Sequence, residues 1–109
     1  MSEIANLMQK LTAFRDARDW KQFHNPKDLA IALSIESAEL LEVFQWKLSE
    51  QASKERIQEE LADVLAYAFL LANECGLDIS EIVSAKIEAN NAKYPVEKSK
   101  GSAKKYDEI

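Results

Sequence analysis

The sequence predicts an all-α protein, a four-helix bundle, on three observations. Only 2 glycines and 2 prolines interrupt 109 residues, too few for a hairpin-rich β fold. Apolar residues recur at spacings of three and four along four separate segments. The second, third and fourth segments each begin at a capping side chain, and the third stops at a glycine.

The first helix is expected from about Ser2 to Arg18, with Ile4, Leu7, Met8, Leu11 and Phe14 at helical spacing. An aromatic loop, Asp19 to Asn25, follows. Asn25-Pro26 starts the second helix, because a capping side chain precedes a proline whose missing N–H is not needed there. This helix is expected to reach about Trp46. Its stripe is Leu29, Ala32, Leu33, Glu36, Leu40 and Val43, while Ile31, Ile35 and Leu41 lie off it. A helix apolar on several sides is covered by neighbours or by another subunit. Ser53 caps the third helix, which runs to Cys75 with Gly76 as its stop. Ile57, Leu61, Val64, Ala68 and Leu71 form its core stripe. Asp78 and Glu81 start the fourth helix, which carries Ile79, Ile82, Val83 and Ile87 and ends before Pro95. The remainder, Val96 to Ile109, is a polar arm.

Four acids break this apolar pattern. Glu36 and Glu39 are three apart in the second helix; Glu60 and Asp63 are three apart in the third. Residues at that spacing share a helix face, so each pair aims two carboxylates the same way. A buried carboxylate without a partner is strongly unfavourable. A short connection makes the two helices antiparallel neighbours, and the four acids then converge. Oxygen-only ligands suit Mg²⁺, with Mn²⁺ as a substitute, rather than zinc or copper. A di-iron bundle site would need Glu-x-x-His on two helices, whereas the single histidine, His24, lies in a loop. The plain alternative, a solvated acidic face, fits Glu42, Glu50, Glu55 and Glu59 better than it fits Glu36, which Leu33 and Leu40 flank.

A net charge of -5 argues against binding a nucleic-acid polymer, for which a basic footprint is expected. No uncharged stretch is long enough to span a bilayer. The first ten residues hold no apolar run of signal-peptide type, and Cys75 is alone, so no internal disulfide forms and a cytoplasmic location is expected.

The spacing Glu36-x-x-Glu39, then Glu60-x-x-Asp63, resembles the metal motif of the MazG-type all-α nucleoside triphosphate pyrophosphatases. An ordered set of further segments is similar to the dCTP pyrophosphatase-like branch. They are Arg18-Asp-Trp-x-x-Phe-His-x-Pro26, Phe44-Gln-Trp-Lys47, Glu59-Glu-Leu-x-Asp-Val-Leu65 with Tyr67, Lys86-x-x-x-Asn90-x-x-Lys-Tyr-Pro95, and Gly101-Ser-Ala-x-Lys-Tyr106. The resemblance covers nearly the whole chain. It implies cleavage of a dNTP, dCTP or a related nucleotide, to dNMP and pyrophosphate, in nucleotide-pool house-cleaning. It implies that Glu36, Glu39, Glu60 and Asp63 bind Mg²⁺ and carry the catalysis. It further implies that Lys86 and Asn90 contact phosphates or sugar, and that Trp20 and Trp46 stack on the base. Tyr67, Lys93, Lys104 and Tyr106 complete the expected substrate set. Pyrimidine-selective relatives place a histidine near the base where this chain has Leu11.

Residues 1–95 would then form the pyrophosphatase domain and residues 96–109 the lysine-containing arm. The apolar helix faces imply a homo-oligomer, with a tetramer built as a dimer of dimers preferred. Two other readings are a non-catalytic nucleotide-binding regulatory module on the same fold and a purely structural helical protein. The first predicts binding without turnover. The second predicts that removing Glu36 or Asp63 is neutral or stabilising.

Overall fold

A computed structural model describes residues Met1–Ile109, which are helical with no strand. The helices are α1 (Glu3–Ala17), α2 (Pro26–Glu42), α3 (Lys54–Glu74), α4 (Ile79–Lys93) and a single turn, α5 (Val96–Ser99). Short 3₁₀ turns occupy Lys21–Phe23, Ser49–Gln51 and Tyr106–Glu108.

The helix starts follow their caps. Ser2, Asn25, Ser53 and Asp78 each accept a backbone N–H three residues on, at 3.1, 2.9, 3.3 and 2.9 Å. Two helix ends share one device. Gly76 has φ +66°, and the N–H groups of Gly76 and Leu77 return to the carbonyls of Asn73 and Ala72. At the end of α1 the left-handed residue is Asp19, φ 54°, and the N–H groups of Asp19 and Trp20 return to Asp16 and Arg15. Aspartate tolerates this backbone better than most side chains do.

Helix α2 ends at Glu42, earlier than expected. At Val43, Phe44, Gln45 and Lys47 the backbone switches to i→i−3 hydrogen bonds, which tighten the last turn, and Val43 is at 0% exposure. Trp46, φ 64°, then redirects the chain. The segment after Pro95 is likewise more ordered than a plain arm, since it holds α5 and the Tyr106–Glu108 turn.

The chain divides into two compact units, Met1–Leu77 and Asp78–Ile109. In the first, α2 and α3 are the principal packed pair and α1 lies against α3. Leu29, Val43, Leu70 and Ala72 are its buried apolar residues. Leu61, expected on the core stripe of α3, is exposed, and so are Leu7 and Phe14 of α1. In the second unit, Lys93 at the end of α4 lies 5.0 Å from the ring centroid of Tyr106. Tyr94 meets that ring edge-on at 6.2 Å. Ile82, Val83 and Ile87, the expected stripe of α4, are exposed.

Candidate functional site

Glu36 lies six residues before the end of α2, and Glu60 six residues after the start of α3. In an antiparallel pair these are the same level. The structure brings one carboxylate oxygen each of Glu36, Glu60 and Asp63 within 4.8 Å of one another, a group able to hold a metal ion. Glu39, one turn along from Glu36, joins this group through Glu36 rather than directly.

The electrostatics of the group are those of acids without counter-charges. None of the four is in an ion pair; the ion pair present joins Arg15 Nε to Asp16 Oδ1 at 2.9 Å. Glu36 Oε2 and Glu60 Oε2 are buried and accept no hydrogen bond. A proton on Glu36 gives it a hydrogen bond to Glu39, and this is the largest cause pushing its carboxyl up to about 7. Burial adds to the effect, as do the charges of Glu39, Asp63 and Glu60. Two buried oxygens that accept no hydrogen bond, among clustered carboxylates, are the ligand set of a hard divalent cation, and the residues present fit one.

Asp63 also lines a cavity of about 150 Å³ that runs between α1, the aromatic loop and α3. Its other walls include Leu11, Phe14, Trp20, His24 and Tyr67. The loop is folded over by the end of α1: Trp20 meets Phe14 edge-on at 5.7 Å, and the Arg18 guanidinium sits 3.7 Å over the Phe14 ring. Two of the residues lining this cavity each carry a buried nitrogen without a hydrogen-bond partner, Arg15 Nη1 and His24 Nδ1.

The expected site residues therefore fall into separate places. Glu36, Glu60 and Asp63 meet, Glu39 adjoins them, and Trp20 and Tyr67 line the neighbouring cavity. Trp46 is not on that cavity; it stands 94% exposed beyond the far end of α2, a helix about 25 Å long by its rise per residue. Lys86, Asn90, Lys93, Lys104 and Tyr106 belong to the second unit, where Lys93 and Tyr106 are in contact. Arg15 was not among the expected residues. Its signal lay in the spacing Ile4, Met8, Leu11, Arg15, which continues one face of α1. His24, placed in a loop by the sequence, lies on the cavity wall.

The chain is similar to proteins of known type. It is 43% identical over 104 residues to dCTP pyrophosphatase 1 of Bos taurus, an alignment covering 88% of this chain and 62% of that protein. With dCTP pyrophosphatase 1 of Mus musculus the identity is 44% over 104 residues, covering 88% and 61%. The chain thus spans about three fifths of the length of these relatives. A crystal structure of a pyrophosphatase from Archaeoglobus fulgidus DSM 4304 superposes with a TM-score of 0.81 at 41% identity, over 87% of this chain and 94% of that one. No helix is long and apolar enough to cross a membrane. Residues 31–109 match the model of the MazG-like family, and to that family the chain belongs.

Proposed function

We propose that the protein is a Mg²⁺-dependent nucleoside triphosphate pyrophosphohydrolase. Its substrates are dNTPs, dCTP and related nucleotides first, and its role is house-cleaning of the nucleotide pool. The observation that carries this reading is the meeting of Glu36, Glu60 and Asp63 with two buried, donorless oxygens beside a cavity the size of one aromatic ring. Similarity to proteins named dCTP pyrophosphatase 1 supports it.

Water attacks the α-phosphorus, the bond from that phosphorus to the bridging oxygen breaks, and dNMP and pyrophosphate leave. Glu36, Glu60 and Asp63, with Glu39, would hold Mg²⁺, which when bound neutralises phosphate charge and lowers the pKa of a coordinated water. One carboxylate of the group orients the water and accepts its proton, with Glu36 and Glu39 equal candidates for that role. Trp20 stacks on the base, for roughly 1–3 kcal/mol, and Tyr67 bonds sugar or phosphate. In this reading Lys86, Asn90 and Lys93 contact the triphosphate, residues 1–95 are the catalytic domain, and the arm of residues 96–109 covers the substrate with Lys104 and Tyr106. Trp46 serves the base site of a second copy in a homo-oligomer, a dimer of dimers in the cytoplasm. Incubation with Mg²⁺ and each dNTP, followed by product identification, is expected to give dNMP and pyrophosphate. Orthophosphate with dNDP would mean that a different bond is cut.

The oligomer is supported by Ile31, Ile35 and Leu41, which leave α2 with 48%, 54% and 69% exposure. Ile31 and Ile35, four residues apart, share one face of α2, and exposed apolar patches mark association surfaces. Light scattering after size exclusion is expected to give a tetramer, and Ile35→Glu a smaller species. A monomeric parent protein at micromolar concentration would refute the assembly.

A further inference from the structure

Four of the five buried polar atoms left without a hydrogen-bond partner lie at the site. Glu36 Oε2 and Glu60 Oε2 belong to the metal group; Arg15 Nη1 and His24 Nδ1 belong to two residues that line the cavity beside Asp63. Arg15 is the exceptional member, because arginine is almost never this buried without full pairing. It is 5% exposed. Its Nε donates to Asp16 Oδ1 at 2.9 Å, an exposed carboxylate on the outer side. Its Nη1 has neither solvent nor acceptor, and no acid of the metal group is within ion-pair distance. A buried charged donor in this state is costly, so it marks a place where a ligand supplies the acceptor.

The cavity defines that ligand. About 150 Å³ walled by Leu11, Phe14, Trp20, Ala66 and Leu70 takes one six-membered aromatic ring, as an apolar cavity of that volume takes benzene. A guanidinium group offers donors only, so it reads an acceptor. Cytosine, uracil and thymine all carry one at the 2-carbonyl oxygen.

Resting on the hydrolase reading, we propose that Arg15 is a specificity-determining residue, whose buried guanidinium donates to the 2-carbonyl oxygen of a pyrimidine base in the cavity beside Asp63. The aromatic walls bind any single ring; Arg15 distinguishes rings by their acceptor. It takes no part in bond cleavage.

The test compares the parent protein with Arg15→Met, which keeps most of the volume and removes every donor, and with Arg15→Lys, which keeps a charge. Three substrates are used: dCTP, a C-nucleotide triphosphate with hydrogen in place of the 2-carbonyl oxygen, and the triphosphate of deoxyribose without a base. For dCTP, Arg15→Met is expected to lower kcat/KM about 10- to 100-fold, the range for a hydrogen bond to a charged group. The analogue should lower the parent's value by a similar factor, with little further loss in Arg15→Met, because the two changes remove one contact. The base-free triphosphate should be cut equally by both proteins, and Arg15→Lys should recover part of the dCTP activity. Equal losses on all three substrates, or additive losses for substitution and analogue, overturn the proposal. Should Arg15→Met fail to fold, the parent decides alone: equal kcat/KM for dCTP and the analogue overturns it. If the parent releases pyrophosphate from no dNTP, the hydrolase reading fails. Calorimetry with dCTP and the analogue then reads the contact itself, and equal affinities overturn it.

Discussion

Glu36→Gln is expected to abolish pyrophosphate release, by at least about 10³-fold, while leaving the helices folded, because removing a metal ligand forfeits several kcal/mol of charge stabilisation. The same substitution should make the metal-free protein more stable at pH 8. An acid whose folded pKa lies above its unfolded one holds its proton more tightly when folded. For Glu36, with 4.5 rising to about 7, the favourable contribution is complete below pH 4.5 and is lost as pH rises through about 7. At pH 8 the parent therefore carries ionised, mutually repelling carboxylates that glutamine relieves. Urea denaturation with a chelator present, at pH 5 and pH 8, measures both effects. The parent should lose stability between those values and Glu36→Gln should lose less. A variant that keeps full turnover, or shows no altered pH dependence, contradicts this assignment. The proton also competes with the cation. Below about pH 7 the parent's Mg²⁺ affinity should fall by up to about tenfold per pH unit, as titration calorimetry would record.

The second large effect is structural. Leu29 is 1% exposed, in the first turns of α2. Leu29→Ala should cost about 2–5 kcal/mol, from lost transfer energy and the cavity left behind. Domains of this size are stable by only about 5–15 kcal/mol, so much of the folded population is at risk. Ser34→Ala, on an exposed part of the same helix, should stay within about 0.5 kcal/mol. Urea midpoints at fixed protein concentration compare the two, since assembly would otherwise shift them. Equal midpoints would show that Leu29 is not the core residue its burial implies.

These outcomes test features of unequal visibility in the sequence. The starts of α2, α3 and α4 were legible because each cap is a local hydrogen bond between a named side chain and an N–H three residues on. The acids were legible because a spacing of three fixes their face. The end of α2 was not, since Val43 and Phe44 continue an apolar pattern while the backbone has already tightened. Leu61 misled for a related reason: periodicity shows that a stripe exists, not how far it is turned from a neighbour. α5 is four residues long, below what periodicity resolves. Arg15 hid among Asp16, Arg18 and Asp19, where a charge reads as part of a solvated helix end.

That helix end has a dynamic consequence. Trp20 is held over the cavity by its own N–H reaching the carbonyl of Arg15, with Asp19 in a left-handed backbone between them. Fraying at the last turn of α1 would break that hydrogen bond and free the indole to swing aside. On the base-site reading proposed above, admission of a ring to the cavity would then depend on this helix end. Amide exchange at Trp20 should report ligand occupancy as directly as any change in the indole's fluorescence.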